Sequence, residues 1–99
     1  MMLHIINQSP FNNNALDDCL RIASPSCSLL FIENGVYALL GFSETQRLFI
    51  KENNIKVYFL QADLEARGLQ HKCSPDIVTV TDQGFVELVT QHHCNQSWF

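Results

Sequence analysis

Ninety-nine residues give one core and one domain, 1–99, burying roughly 60–70% of the surface that the unfolded chain exposes. A charged fraction of 16% beside 46% hydrophobic residues is low against about 25% in average chains, which points to surface covered by a partner. The net charge of −4, with only six dispersed Lys and Arg, excludes a phosphate-neutralising face, so direct nucleic-acid binding is not expected.

Leu3–Ile6 is a short apolar run that predicts a strand, followed by a polar loop with Ser9-Pro10 and three asparagines. Asn14 is placed to cap a helix from Ala15, in which Leu16, Cys19, Leu20 and Ala23 share one face. Pro25 ends it. Ser28–Ile32 predicts a second, buried strand closed by the turn signal Asn34-Gly35. Val36–Leu40 fits either a helical turn or a strand, and Glu44–Lys51 a helix stopped by Asn53-Asn54. Ile55–Leu60 is the clearest strand. Ala62–Arg67 predicts a short helix with Gly68 at its left-handed end, Ile77–Val80 a further strand, and Gln83 or Gly84 through Thr90 a last helix capped by Asp82. The tail, His92–Phe99, has no regular pattern, yet it ends in Trp98-Phe99.

Strands alternating with helices predict an α/β fold: a small, mostly parallel sheet sandwiched by helices in three layers. Reacting groups in such sheets sit at the carboxyl ends of strands. Those loops are Asn7–Asn14, Glu33–Val36, Gln61–Asp63 and Thr81–Gly84.

The start of the chain lacks the basic segment of a secretory signal, and no apolar run approaches a membrane span. A cytoplasmic location is therefore expected, with reduced thiols. Cys19, Cys27, Cys73 and Cys94 form no CxxC pair, which suggests neither a zinc ribbon nor a disulfide framework. Cys19 is the leading chemical candidate. Near a helix N-terminus its thiolate would gain modest stabilisation, but Asp17 and Asp18 oppose it. The competing reading packs Cys19 against Leu16, Leu20 and Ala23. Cys27 and Cys73 read as packing or incidental residues. His92-His93-Cys94 offers three ligand types without chelating spacing, so no metal is expected, and His71 adds nothing regular. Without GxGxxG, Walker or GxSxG motifs, no cofactor is expected. A nucleotide- or flavin-binding module is the remote alternative, suggested by layout alone. Trp98 and Phe99 dock either on this chain or in a neighbouring subunit.

These residues resemble the TusB/DsrH family of bacterial sulfur relays nearly end to end. The resemblance runs through Leu3-His4-Ile5 with Ser9-Pro10-Phe11, then Ala15-Leu16-Asp17-Asp18-Cys19-Leu20, then Leu29 to Val36. Its most specific part is Ile55-Lys56-Val57-Tyr58, Asp63-Leu64 and Ala66-Arg67-Gly68-Leu69, and the terminal tryptophan completes it. The resemblance implies a heterotrimer with TusC/DsrF-like and TusD/DsrE-like subunits, paired into a heterohexamer. Such complexes relay persulfide sulfur, together with sulfur-carrier proteins, toward 2-thiouridine at the tRNA wobble position, or serve the oxidation of stored sulfur. The principal cysteine belongs to another subunit, and only Cys19 carries over, as an accessory persulfide site. Relatives often have Asp-Gly where this chain has Asn34-Gly35, so no role is transferred to that acid.

Overall fold

Runs of three to five residues, each too short for a stable helix, line up as neighbours in one sheet. The computed structural model describes residues 2–72, 77–92 and 94–99. Strands β1 (Met2–Ile6), β2 (Ser28–Phe31), β3 (Lys56–Leu60), β4 (Val78–Val80) and β5 (Cys94–Trp98) form a sheet of order β4-β3-β2-β1-β5. Every pairing is parallel. Between them lie helices α1 (Ala15–Ile22), α2 (Glu44–Glu52), α3 (Gln61–Ala66) and α4 (Asp82–Gln91), with 3-10 segments at Glu33–Leu40 and Gln70–Lys72. This is the three-layer α/β sandwich that the alternating pattern implies.

Side chains alternate across the sheet, and the alternation divides the core in two. On one face Ile6, Leu29, Phe31 and Phe59 meet Leu16, Cys19 and Leu20 of α1, Val36 and Ala38 of the first 3-10 segment, and Leu64 of α3. Phe31 stacks on Phe59 at 5.1 Å between ring centroids. On the other face Leu3, Ile5, Leu30, Ile32 and Leu60 meet Leu88, Phe85 and Val89 of α4. Among the described residues, that face is covered by a single helix.

The tail is the main departure from the sequence reading. It is no irregular segment, because Cys94–Trp98 pairs with β1 from Met2↔Cys94 to Ile6↔Trp98. All but the last of its residues are exposed, so the strand lacks the apolar alternation that sequence patterns detect. Backbone pairing to β1 and three side-chain bonds hold it instead. The indole Nε1–H of Trp98 donates to His4 Nδ1 at 3.1 Å. His92, just ahead of the strand, reaches Ser28 Oγ with Nε2 at 3.1 Å and the Leu88 carbonyl with Nδ1 at 2.7 Å. Trp98 thus docks on its own chain, whereas Phe99 is 74% exposed.

Smaller differences concern helix starts. Asn14 occupies the N-cap of α1 without a side-chain bond; Asn13 Oδ1 instead accepts from the Ala15 N–H at 2.6 Å. Thr81, not Asp82, caps α4, its Oγ1 accepting from the Gly84 N–H at 3.1 Å. Ser43 and Gln46 form a reciprocal capping box on α2. Asn34-Gly35 lies within the 3-10 segment, which also takes in Val36–Leu40. Gly35 is required there by close approach, since a Cβ would run into the Ile6 carbonyl. Cys73, Pro75 and His93 lie outside the described residues.

Candidate functional site

Three of the four strand-end loops converge at the carboxyl edge of the sheet. Asn7 follows β1, Glu33 and Asn34 follow β2, and after β3 come Asp63 in the first turn of α3 and Arg67 at its end. The Glu33 N–H donates to Asp63 Oδ2 at 2.7 Å, which holds Glu33 at φ 49°, a left-handed conformation costly for a side-chain-bearing residue. Arg67 Nη1 lies 3.6 Å from Asp63 Oδ1, and Arg67 Nε donates to Asn34 Oδ1 at 3.0 Å. Asn34 thus supplies the acceptor that ties Arg67 to the loop after β2. Asn7 Nδ2 reaches Glu33 Oε2 at 3.5 Å, while Asn7 Oδ1 is buried without a hydrogen-bond partner among the described residues.

This cluster joins three crossovers but contains no nucleophile. Its carboxylate and guanidinium are engaged with each other and with the backbone, an arrangement that fixes loops rather than transfers groups. The fourth loop borders a separate cleft of about 180 Å³, lined by Gln61, Ala62, Glu65, Thr81 and Asp82. Among the described residues no three His, Cys, Asp or Glu side chains are grouped to hold a metal ion. No helix found there is long and apolar enough to cross a membrane.

Cys19 lies on the inner face of α1, buried with Leu16 and Leu20. Burial pushes its thiol from an ordinary 9.0 up to about 12, and nearby Cys27 adds to the rise. Cys27 is also buried and its thiol is raised, first by burial, against a backbone hydrogen bond that lowers it. Neither presents a thiolate in this conformation; Cys94, on β5, is exposed. Sequence reasoning placed His4 in a strand and weighed His92 as a metal ligand, but did not anticipate the hydrogen bonds that each makes. An indole N–H only donates, so His4 Nδ1 must be unprotonated to accept from Trp98. A carbonyl only accepts, so His92 Nδ1 carries a proton and, in the neutral ring, Nε2 accepts from Ser28. The Ser28–His92 pair has the contact of a nucleophile with its base, but Ser28 is 1% exposed, beyond the reach of a substrate. The signal that could have found both was a polar residue inside an apolar strand: His4 between Leu3 and Ile5, and Ser28 ahead of Leu29 and Leu30.

Fold and site together define a class: a small doubly covered parallel α/β domain with a polar, internally bonded carboxyl edge and two core cysteines. Within that class the chain belongs to the TusB/DsrH family. The family model described as DsrH like protein matches residues 8–95. The protein named TusB from Escherichia coli O81 (strain ED1a) is 33% identical over 97 residues, covering 98% of this chain and 100% of the relative. The protein of that name from Yersinia pestis (strain Pestoides F) is 31% identical with the same coverage. Among solved structures, the ychN protein from E. coli superposes with a TM-score of 0.80 at 15% identity, over 97% of each chain. Protein Tm0979 from Thermotoga maritima gives 0.67 at 23% identity, over 93% of this chain and 94% of the other. These two likenesses concern the fold.

Proposed function

We propose that this chain is an accessory, non-catalytic subunit of a cytoplasmic persulfide-relay complex that supports 2-thiouridine formation at the tRNA wobble position. The observation that carries the reading is a full-length match to proteins named TusB in a chain whose family-position cysteine is sealed in the core. A sulfur acceptor needs an accessible thiolate, and Cys19 lacks both access and ionisation. The second sheet face adds support: α4 is the single helix packed there among the described residues, and Val78 and Val86 are 49% and 61% exposed. Under this proposal residues 1–99 act as one domain. TusC/DsrF-like and TusD/DsrE-like subunits cover part of its surface in a dimer of heterotrimers, and sulfur-carrier proteins exchange sulfur with those sisters. The chain itself touches neither RNA nor membrane.

Co-expression with the two sister subunits, followed by size-exclusion chromatography, tests the proposal. All three should elute together; a chain that elutes as a monomer in the presence of both would reject it.

The match to the DsrH family model and the presence of Cys19 favour one second reading, a DsrH-type subunit in intracellular sulfur oxidation with Cys19 as a persulfide site. It requires opening of α1. Incubation with a persulfide donor and peptide mapping would then place sulfur on the Cys19 peptide in the wild type and not on the same peptide of Cys19→Ser; equal labelling of that peptide in both, or none in the wild type, excludes it.

A further inference from the structure

The first sheet face is covered unevenly. The crossover from β3 to β4 contains α3, six residues long, which extends only about 9 Å and stays at the carboxyl edge with Leu64 in the core. Among the described residues, the flank of β3 borders a cavity of about 420 Å³, within the range of roughly 300–1,000 Å³ usual for small-molecule sites. Its floor is Val57 and Phe59, alternate residues on β3 that point to the same side. Leu39, Phe42 and Ile77 form apolar walls, all three half-buried like Val57.

Two cations stand over this apolar floor. Arg47 comes from α2, and its Nε donates to the Phe42 carbonyl at 3.3 Å, which tethers the guanidinium to the cavity wall. Lys72 enters from the second 3-10 segment. Among the described residues neither cation is salt-bridged, whereas Arg21 and Arg67 each pair with an aspartate. In a chain of net charge −4, two cations that no described carboxylate pairs converge on one cavity with an apolar floor. Apolar lining selects an apolar body, and the cations select an anionic head.

We propose that this cavity binds a small amphipathic anion, with a carboxylate-like head held by Arg47 and Lys72 and an aliphatic or aromatic body on Val57, Phe59 and Leu39. The site is independent of the sulfur-relay reading, because it uses none of the cysteines and none of the carboxyl-edge cluster. Octanoate is a suitable probe and 1-octanol its neutral counterpart, titrated into the full chain and followed through methyl NMR signals. Saturable shifts should centre on Leu39, Val57 and Ile77, with octanol binding more weakly and octanoate affinity falling as salt rises. An Arg47→Gln/Lys72→Gln double variant, altered only at exposed side chains, should bind octanoate about tenfold or more weakly. The proposal is overturned by absent saturation, by shifts centred elsewhere, by equal affinity for octanol, or by unchanged affinity in the folded double variant. Should that variant not fold, salt-independent binding to the wild type overturns it equally. Failure of the chain to take up octanoate once its sister subunits are bound would identify the cavity as a subunit contact and also overturn it.

Discussion

His4 and Cys19 share a sheet face, and each is a titratable side chain taken out of water. Burial lowers the His4 pKa below its ordinary 6.5, so the unfolded chain binds more protons than the folded one as the solution is acidified. The stability that neutral His4 contributes is therefore complete above about pH 6.5 and is lost as pH falls through the lower, folded value. Protonation also removes the acceptor for Trp98. Thermal denaturation between pH 7.5 and 5 should show a falling Tm in the wild type and a flatter profile in His4→Gln, whose amide oxygen still accepts from the indole; parallel profiles would remove His4 from the account. Cys19 obeys the opposite sign. Its raised value keeps the folded thiol protonated where the unfolded one ionises, so its contribution fades as pH rises above about 9. At neutral pH, iodoacetamide followed by peptide mapping should modify Cys19 and Cys27 at least about 100-fold more slowly than Cys94, and denaturant should abolish the difference. Equal rates in native buffer would show that α1 opens readily.

Individual elements differ in how openly their sequences announced them. Strands β1, β2 and β3 were legible because each buries apolar side chains, and α1 because Leu16, Cys19 and Leu20 repeat at helical spacing. β5 was not, since Cys94, Asn95, Gln96 and Ser97 are exposed and its place beside β1 is set by backbone pairing and by partners 64 and 94 residues away. The carboxyl-edge loops were correctly located from strand order, but the bonds joining them were hidden for the same reason: Glu33 to Asp63 and Asn34 to Arg67 span 30 and 33 residues. Asn34-Gly35 read as a turn because composition reports backbone freedom and not proximity; the structure shows that Gly35 is small because β1 passes against it. Gly35→Ala should accordingly destabilise by about 1–3 kcal/mol, measurable by urea denaturation. Unchanged stability would mean that the first 3-10 segment can lift from Ile6. Trp98→Ala removes a half-buried ring and strands His4 Nδ1, and should cost a similar amount, roughly 1–3 kcal/mol.

Taken whole, the molecule is a sheet with unequal cover. One face carries α1, α2, α3 and the first 3-10 segment, and the other carries α4. Cys19 is inside the core, the carboxyl edge is bonded to itself, and apolar side chains remain exposed at Val78, Val86 and Phe99. Native mass spectrometry of the co-expressed complex, after treatment with a persulfide donor, reports assembly and sulfur load on each subunit in one spectrum. The account predicts this 11.3 kDa chain bound to both sisters at its unmodified mass, with the added sulfur on a sister subunit. A free chain, or one that itself gains sulfur at Cys19 within the complex, would contradict it.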